Sequence, residues 1–382
     1  MRFIHLSDLH IGKRFHFYNL LEDQKYILEE ILTKIEEHCP DAVLISGDIY
    51  DKAVPSAEAV TVFDDFLSGI SQRVPKTRIF LISGNHDSAE RLAFASRILE
   101  KHQIHMISTL PRTKEEFLHK VVLKDEFGEV CFYFLPFLKP GYVRTLSPEA
   151  KEYNLQQAVQ FLTEREGVDR NKRNVLLSHQ FYTHKGEEPL RSDSETWMVG
   201  GIENIDVSLL DPFDYVALGH LHRPQWVGRK SIRYCGSPLK YSLSEKEDKK
   251  SITLVTLEEK GKEPLIEELP LIPLRDVKQR KGTSEEFLAG PPCEDYIGFI
   301  LTDEKMPYQI RERLEERYSH ILEIKVENNR IRKELSLPER EIRINPREAF
   351  EEFYEEIHGV SMTAQEKEWV EMIFKEAEEE EA

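Results

Sequence analysis

The sequence has few cysteines and no long apolar run, and each scarcity excludes a class of protein. The four cysteines, Cys39, Cys131, Cys235 and Cys293, lie far apart and form no CxxC pair. Neither a disulfide framework nor a cysteine zinc site is therefore expected. No apolar stretch approaches the roughly 18 residues of a membrane span, and the first motif follows Met1 too closely for a signal peptide. We therefore predict reduced thiols in a cytoplasmic protein that has no membrane span.

An excess of positive charge is also missing. The formal charge at pH 7 is −18, and the sequence shows no basic face typical of proteins that bind nucleic acids. Thirteen acidic and three basic residues lie between Arg347 and Ala382, so more than half of the net charge belongs to this tail. Carboxylates in a metal site would face cations, so the net charge does not exclude a DNA substrate.

What the sequence does contain is a series of short apolar runs separated by helical patterns. The runs are continuous rather than alternating, as in strands that are buried on both faces. We predict strands at residues 3–6, 42–45, 79–82, 130–135, 175–177 and 215–218. Apolar residues at three- and four-residue spacing predict helices at 23–38, 56–70 and 88–102. This alternation predicts a layered α/β domain with ligands at the carboxyl ends of its strands.

Changes in amino-acid composition divide the chain into three parts. After Pro224 it becomes rich in β-type and turn residues, and prolines cluster near the end of this stretch. We predict a first domain over residues 1–270 and a small α/β capping domain over 271–340. In the capping domain, strands at 296–301 and 321–326 flank a helix. Residues 341–382 complete the chain as a helical segment.

This last segment has the pattern of a helical hairpin. Apolar side chains share one helical face between Phe350 and Ile357. Thr363 and Glu366 form a capping box for the next helix, whose apolar stripe includes Trp369. A hairpin this small does not bury such side chains by itself. It either folds back on its own protein or docks on a partner, and we favour the partner.

Five short motifs follow five of the predicted strands. They are Asp8-Leu9-His10, Gly47-Asp48, Gly84-Asn85-His86-Asp87, Ser178-His179 and Gly219-His220-Leu221-His222. Any one of them alone is weak evidence, because Asp-x-His pairs and Gly-Asp pairs are common at strand ends and in turns. Together they supply enough oxygen and imidazole ligands for two divalent metals, the usual apparatus for hydrolysing phosphate esters. The mixed donors suit manganese or iron better than magnesium, so we predict two Mn²⁺ ions, with Mg²⁺ or Fe²⁺ as alternatives.

In this order the motifs resemble the calcineurin-like metallophosphoesterases, whose pattern is DxH, GD, GNHD, H and GHxH. The resemblance implies a layered αββα core with two bound metals. It assigns Asp8, His10 and His222 to the first metal and Asn85, His179 and His220 to the second, with Asp48 as the bridge. His86 would contact the phosphate and protonate the leaving oxygen, with Asp87 as its hydrogen-bond partner.

A closer resemblance, over about residues 1–270, is to the SbcD family, the nuclease subunits of bacterial SbcCD complexes. Residues 3–13, 47–56 and 217–225 carry it. It implies a metal-dependent DNA nuclease, a 3′–5′ exonuclease on double strands and an endonuclease on single strands or hairpins, in DNA repair, recombination and replication. An SbcC-type ATPase would bind the C-terminal helices, and the helices at 56–70 and 88–102 would form a homodimer.

Two other functions are compatible with the same residues. The first is a small-molecule or protein phosphoesterase of the same superfamily, because the metal site alone does not name the substrate. The second is a regulatory subunit with a vestigial site, which the intact ligand set argues against. A partner-docking tail is unnecessary for a small-substrate hydrolase, so the tail favours the nuclease.

Overall fold

The computed structural model describes residues 1–147, 149–195, 204–305 and 307–327, and positions 350, 354, 362, 363, 365–367, 369, 370 and 372. The chain forms two compact units, Met1–Val326 and Glu327–Ala382. Within this described part, no helix is long and apolar enough to cross a membrane. All four cysteines are free thiols, as predicted.

The first unit is built from short strands and helices. In the described residues the strands are β1 (Arg2–Leu6), β2 (Arg14–Phe15), β3 (Tyr18–Asn19), β4 (Ala42–Ser46), β5 (Arg78–Ile82), β6 (Ile104–Ile107), β7 (Lys120–Asp125), β8 (Gly128–Leu135), β9 (Arg173–His179), β10 (Tyr182–Thr183), β11 (Ile205–Asp206), β12 (Tyr215–Gly219), β13 (Gln225–Val227), β14 (Arg229–Tyr234), β15 (Ser251–Thr256), β16 (Leu265–Pro270), β17 (Val277–Gly282), β18 (Cys293–Leu301) and β19 (Tyr318–Val326). The α-helices are α1 (Leu21–His38), α2 (Ala57–Arg73), α3 (Ala89–Leu92), α4 (Ser96–Glu100), α5 (Leu155–Arg165), α6 (Ser284–Ala289) and α7 (Ile310–Glu315). All six strands predicted for the first domain are present.

The first large sheet has the strand order β16-β15-β1-β4-β5-β6. Strands β1, β4, β5 and β6 run parallel, and β15 and β16 add antiparallel partners beside β1. Leu6 pairs with Ile45, and Ser46 pairs with Ile82. Strands β1, β4 and β5 therefore end at one edge of the sheet, which brings the loops that follow them together.

The second large sheet has the strand order β13-β14-β12-β9-β8-β7. Strands β14, β12, β9 and β8 run parallel, and β13 and β7 are antiparallel edge strands. Gly219 pairs with His179, so the loops after β9 and β12 also leave from a common edge.

The two sheets stack face to face, with helices on both outer faces. Phe3, Phe80 and Phe132 help to fill the space between the sheets, where the ring centroids of Phe3 and Phe132 lie 5.9 Å apart. Helices α1 and α2 pack on the outer face of the first sheet, and α5 packs on that of the second. The predicted αββα layering is confirmed.

A smaller parallel sheet has the order β17-β18-β19. Its own apolar cluster includes Phe287 and Phe299. The sequence predicted the second and third of these strands but not β17, whose residues VKQRKG contain no apolar run. The division into residues 1–270, 271–340 and 341–382 stays a prediction, and 328–340 lie outside the described residues.

The single helix predicted at 88–102 is wrong. The segment forms α3 and α4, separated by Ala95, whose φ of +61° lies in the left-handed region. Phe94 and Ile98 are 82% and 63% exposed, so the apolar residues do not form one buried stripe.

The predicted capping box in the tail is confirmed. The backbone N–H of Thr363 donates to Glu366 Oε2 at 2.8 Å, and the N–H of Glu366 donates to Thr363 Oγ1 at 3.4 Å. The rest of the predicted hairpin lies largely outside the described residues.

Candidate metal centre

The structure brings all seven predicted metal ligands to one end of the stacked sheets. Four follow strands of the first sheet and three come from the second. They are Asp8, His10, Asp48 and Asn85, and then His179, His220 and His222. Asn85 and His220 are partly exposed, and the other five are buried. Residues separated by more than two hundred positions thus meet because parallel strands of both sheets end there.

Four of these ligands have a strained backbone. The φ angles of Asp8, His10, Asp48 and His220 are +54°, +44°, +50° and +100°, values that cost an L-residue roughly 1–2 kcal/mol each. Hydrogen bonds between loops hold two of them, because the N–H of Asp8 donates to Gly47 O at 3.1 Å and that of His10 donates to Asp48 O at 3.0 Å. Strain maintained in this way is typical of functional sites.

The glycines of the motifs allow the loops to approach closely. A Cβ atom on Gly84 would lie 2.1 Å from Asp48 Oδ1, and a Cβ atom on Gly219 would lie 2.0 Å from Ser46 O. Neither position accepts a side chain without moving a ligand loop. Gly84 and Gly219 therefore set the spacing of the cluster.

One half of the cluster centres on the side-chain oxygen of Asn85. Asn85 Oδ1 lies 2.9 Å from His179 Nε2 and 3.0 Å from His220 Nδ1. The Nδ1 atom of His179 donates to Ser46 O at 2.7 Å. This bond keeps a proton on Nδ1, so Nε2 is the ring atom that faces the cluster.

The other half brings together groups that do not satisfy one another. His10 Nε2 lies 3.1 Å from His222 Nε2. Asp8 Oδ1 accepts the N–H of His220 at 2.9 Å, while Asp8 Oδ2 is buried without a hydrogen-bond partner. Converging imidazole nitrogens beside a buried, unpaired carboxylate oxygen fit a bound cation.

Asp48 lies between the two halves. Its Oδ2 atom is 3.5 Å from His10 Nε2 and 3.4 Å from His179 Nε2. Its Oδ1 atom accepts the backbone N–H of His86 at 2.9 Å. One carboxylate oxygen thus faces both groups of ligands, which is the position of a bridging ligand.

The ionisable groups of the cluster shift one another's pKa values. Burial alone would raise the pKa of Asp48, but the imidazoles of His179 and His10 hold it well below its usual range. Burial alone would lower the pKa of His179, but Asp48 raises it to about 9. Burial, reinforced by His179, lowers the pKa of His220 to about 3. At neutral pH the cluster therefore holds an ionised Asp48 beside a neutral His220, whose lone pair can bind a metal.

Comparison with known proteins agrees with this geometry. Residues 1–224 match the calcineurin-like phosphoesterase family, and residues 271–358 match the type 5 capsule protein repressor C-terminal domain. The SbcD subunit of the nuclease SbcCD from Staphylococcus epidermidis is 34% identical over 293 residues, which cover 75% of this chain and 74% of that protein. Its counterpart from Staphylococcus saprophyticus is 32% identical over 310 residues, 79% of this chain and 78% of that protein. The chain belongs to the SbcD family of calcineurin-like phosphoesterases.

Among solved structures, a dimetal phosphatase from Danio rerio covers 70% of this chain and 98% of its own, with 12% identity and a TM-score of 0.38. This likeness is too low to add to the assignment. Family membership and the cluster of aspartates and histidines together indicate a phosphoesterase that uses divalent metal ions.

In this member of the SbcD family, a buried polar network supports His222. Ser194 Oγ lies 2.7 Å from His222 Nδ1 and donates to Glu245 Oε1 at 2.6 Å. Lys250 Nζ donates to Glu245 Oε2 at 2.6 Å. Burial alone would lower the pKa of His222, but Glu245 raises it. Sequence reasoning missed Ser194, Glu245 and Lys250, because they belong to no motif and meet only through the fold.

The predicted hydrogen bond between His86 and Asp87 stays a prediction, and the structure gives both residues of this SbcD family member further partners. His86 Nδ1 lies 2.9 Å from Asp51 O. The carboxylate of Asp87 accepts the backbone N–H groups of Gly84, Ile49 and Tyr50 at 2.8–3.1 Å. Burial and the neighbouring Asp48 carboxylate raise the pKa of Asp87 to about 6. Asp87 therefore fixes the loops that carry His86 and Asp48.

Proposed function

We propose that this chain is a two-metal DNA nuclease that acts with an SbcC-type ATPase. It would remove nucleotides from double-stranded ends in the 3′–5′ direction and cut single strands and hairpins. The observation that carries the proposal is the convergence of seven candidate ligands, with Asp48 among them, in a chain whose relatives are named as nuclease subunits. Its setting would be the cytoplasm, where the four free thiols stay reduced.

The donor set supports Mn²⁺ as the metal. Four of the seven ligands are imidazoles, two are carboxylates and one is an amide. Magnesium prefers oxygen ligands, whereas imidazole nitrogens suit manganese and iron. When bound, the pair of ions would neutralise phosphate charge and lower the pKa of a bound water.

We infer that His86 protonates the leaving oxygen. A carbonyl oxygen accepts hydrogen bonds only, so the contact with Asp51 O requires that His86 Nδ1 carries a proton. Protonation of the ring at Nε2 would then create the donor for the leaving oxygen. The backbone N–H of His86 also donates to Asp48 Oδ1 at 2.9 Å, which couples its position to the bridging ligand.

A nuclease assay tests this function. The full chain with Mn²⁺ should degrade labelled linear DNA, and His86→Ala should retain its two metals while losing about 10²–10⁴-fold in turnover. Metal content is measured by plasma mass spectrometry after dialysis. Hydrolysis of p-nitrophenyl phosphodiesters with every DNA substrate left intact, with or without the ATPase, would favour the small-molecule or protein phosphoesterase instead.

The surface formed by α2, α3, α4 and the turn between α3 and α4 supports a homodimer. Val60 on α2, Phe94 in that turn and Ile98 on α4 are 45%, 82% and 63% exposed. A cavity of 650 Å³ opens between them, lined in part by Phe63 and Leu99. An exposed apolar face of this kind is typical of an interaction site, and we infer that a second copy of the chain covers it.

Sedimentation velocity tests the dimer. The double change Phe94→Asp and Ile98→Asp should convert the dimer to a monomer, because it buries two charges in the interface. Phe17→Asp is the matched control, since Phe17 is 81% exposed and lies outside this face. Equal sedimentation of both variants and the unchanged chain would contradict the assignment.

We propose that the tail, residues 341–382, binds the ATPase. We also propose that the capping domain, residues 271–340, selects or opens the DNA. Trp369 and Met372 are 55% and 56% exposed, which suits a partner-docking surface. A pull-down should recover the SbcC-type ATPase with the full chain and not with a chain that ends at Asn345. Equal recovery of the ATPase by both chains would contradict the proposal that the tail binds it.

A further inference from the structure

A second cluster of metal-ligating side chains lies outside the two-metal centre. It consists of Glu100, His105 and His119, and one ligand atom from each lies within 4.8 Å of the other two. Glu100 ends α4, His105 lies within β6, and His119 directly precedes β7. The oxygen Oε1 of Glu100 is 3.9 Å from Nδ1 of His105. The three line a cavity of 560 Å³.

His105 is the unusual member of this cluster. It is 8% exposed, and neither of its ring nitrogens has a hydrogen-bond partner. Leaving a buried polar group unpaired is destabilising, so these nitrogens call for a partner. Glu100 and His119 are exposed, so the cluster opens to solvent on their side.

The electrostatics keep both imidazoles available as ligands. Burial lowers the pKa of His105 and outweighs the opposing effect of Glu100. Burial also lowers the pKa of His119, again against Glu100. Both rings are therefore neutral at pH 7 and offer lone pairs, while Glu100 supplies a negative charge. A metal ligand set of this kind needs deprotonated imidazoles.

We propose that Glu100, His105 and His119 bind one divalent transition metal, with Zn²⁺ as the preferred ion. Two imidazoles and a carboxylate are zinc-type ligands, with water completing a tetrahedral shell. Zinc–nitrogen bonds of about 2.0–2.1 Å place tetrahedral ligands about 3.3 Å apart. The exposed side chains of Glu100 and His119 can close that distance around the fixed ring of His105.

The cluster lies where edge strands of the two large sheets meet. Strand β6 is the edge of the first large sheet, and β7 is the edge of the second. His105 and His119 therefore belong to different sheets, and the backbone N–H of Phe134 donates to His119 O at 3.2 Å. An ion held by both histidines would join the two sheet edges on the side where α4 packs.

Crystals of the full chain soaked in ZnCl₂ test the site directly. Anomalous scattering at the zinc edge should show a peak about 2.0–2.3 Å from nitrogen atoms of His105 and His119. Peaks at the two-metal centre are the internal positive control. Zinc peaks at that centre and none at Glu100, His105 and His119 would overturn the proposal. So would phosphate density in this cavity instead of zinc, since Arg97 and Arg112 also line it.

A solution measurement separates the two sites without reference to activity. After dialysis of the full chain against low-micromolar Zn²⁺, His119→Ala should retain one ion fewer than the unchanged chain. His119 is chosen because it is exposed, whereas loss of the buried His105 could prevent folding. His102→Ala is the matched control, an exposed histidine outside the cluster, and should retain the full content. Equal zinc content in all three proteins would contradict the site.

Discussion

Single atoms decide the geometry of the two-metal centre, and Gly84 shows this at the residue scale. Because a Cβ atom there would lie 2.1 Å from Asp48 Oδ1 and 2.4 Å from Asp48 N, Gly84→Ala should displace the bridging carboxylate. We expect a loss of about 3 kcal/mol in the free energy of unfolding, with weaker Mn²⁺ binding by calorimetry. Gly141→Ala is the control, since its Cβ would meet only Arg144 atoms at 4.0 Å. Similar behaviour of the two variants would refute this explanation of the motif glycine.

A second residue-scale prediction concerns the ion pair of Asp125 with the buried Arg173. The guanidinium Nη1 donates to Asp125 Oδ2 at 3.0 Å, and the same nitrogen also donates to the carbonyl oxygens of Leu257 and Glu258. Asp125→Asn should lower the free energy of unfolding by about 2 kcal/mol at pH 7, because it leaves a buried charge without its counterion.

The pH dependence of this effect has a definite sign. Burial alone would raise the pKa of Asp125, but Arg173 holds it well below its usual range. A carboxyl group with a lowered pKa in the folded state stabilises the protein above its unfolded pKa of about 3.9 and loses that contribution as pH falls. Denaturant unfolding should therefore show a difference in the free energy of unfolding between the unchanged chain and Asp125→Asn. This difference should be largest at pH 7 and should shrink below about pH 4. A difference that does not change with pH would contradict the ion pair as its source.

At the scale of elements, the break between α3 and α4 gives a prediction with opposite signs at neighbouring positions. Ala95 has a φ of +61°, whereas Ala93 has a φ of −65°. Ala95→Gly should raise the free energy of unfolding by about 0.5–1 kcal/mol, because glycine adopts the left-handed region without strain. Ala93→Gly should lower it by a similar amount. Changes of the same sign in thermal melts of both variants would show that the break is not set by Ala95.

The same elements show which parts of the fold could be predicted from the sequence. The buried strands were predictable because runs such as Ala42–Ser46 are continuous and apolar, and this pattern is a local property. The break at Ala95 was not, since nothing in alanine itself favours a positive φ. Strand Val277–Gly282 was not predicted because most of its side chains are polar or charged. It therefore lacks the apolar run or the apolar–polar alternation by which a strand is recognised.

The candidate site divides in a similar way. The convergence of the seven candidate ligands was predictable because each follows a strand within a short motif, and parallel strands that end together bring such motifs together. The support of His222 by Glu245 and Lys250 was not predictable, because it depends on a distant loop that lies beside the site only in the folded chain. The backbone partners of Asp87 were not predictable for a related reason. Nearly every residue carries a backbone N–H group, so the sequence does not show which of them a carboxylate will bind.

At the scale of the whole molecule, the two-metal centre joins the two large sheets. Four of its predicted ligands follow strands of the first sheet and three come from the second, with Asp48 facing His10 on one side and His179 on the other. Metal binding therefore requires the sheets to be packed together, so its free energy contributes to the stability of the entire αββα core.

This coupling predicts how the metal-free chain behaves. After all metals are stripped, Mn²⁺ at 100 times its dissociation constant should raise the melting temperature by about 5–10 °C, since one such site adds about 2.7 kcal/mol. Asp48→Asn removes the bridging charge and should melt at one temperature with or without Mn²⁺. Hydrogen exchange should slow in the unchanged chain at the ends of both β4 and β9, because the ions hold loops from both sheets. Protection confined to one sheet would mean that the ions bind without joining the two halves, and the structural role of the centre would then be wrong.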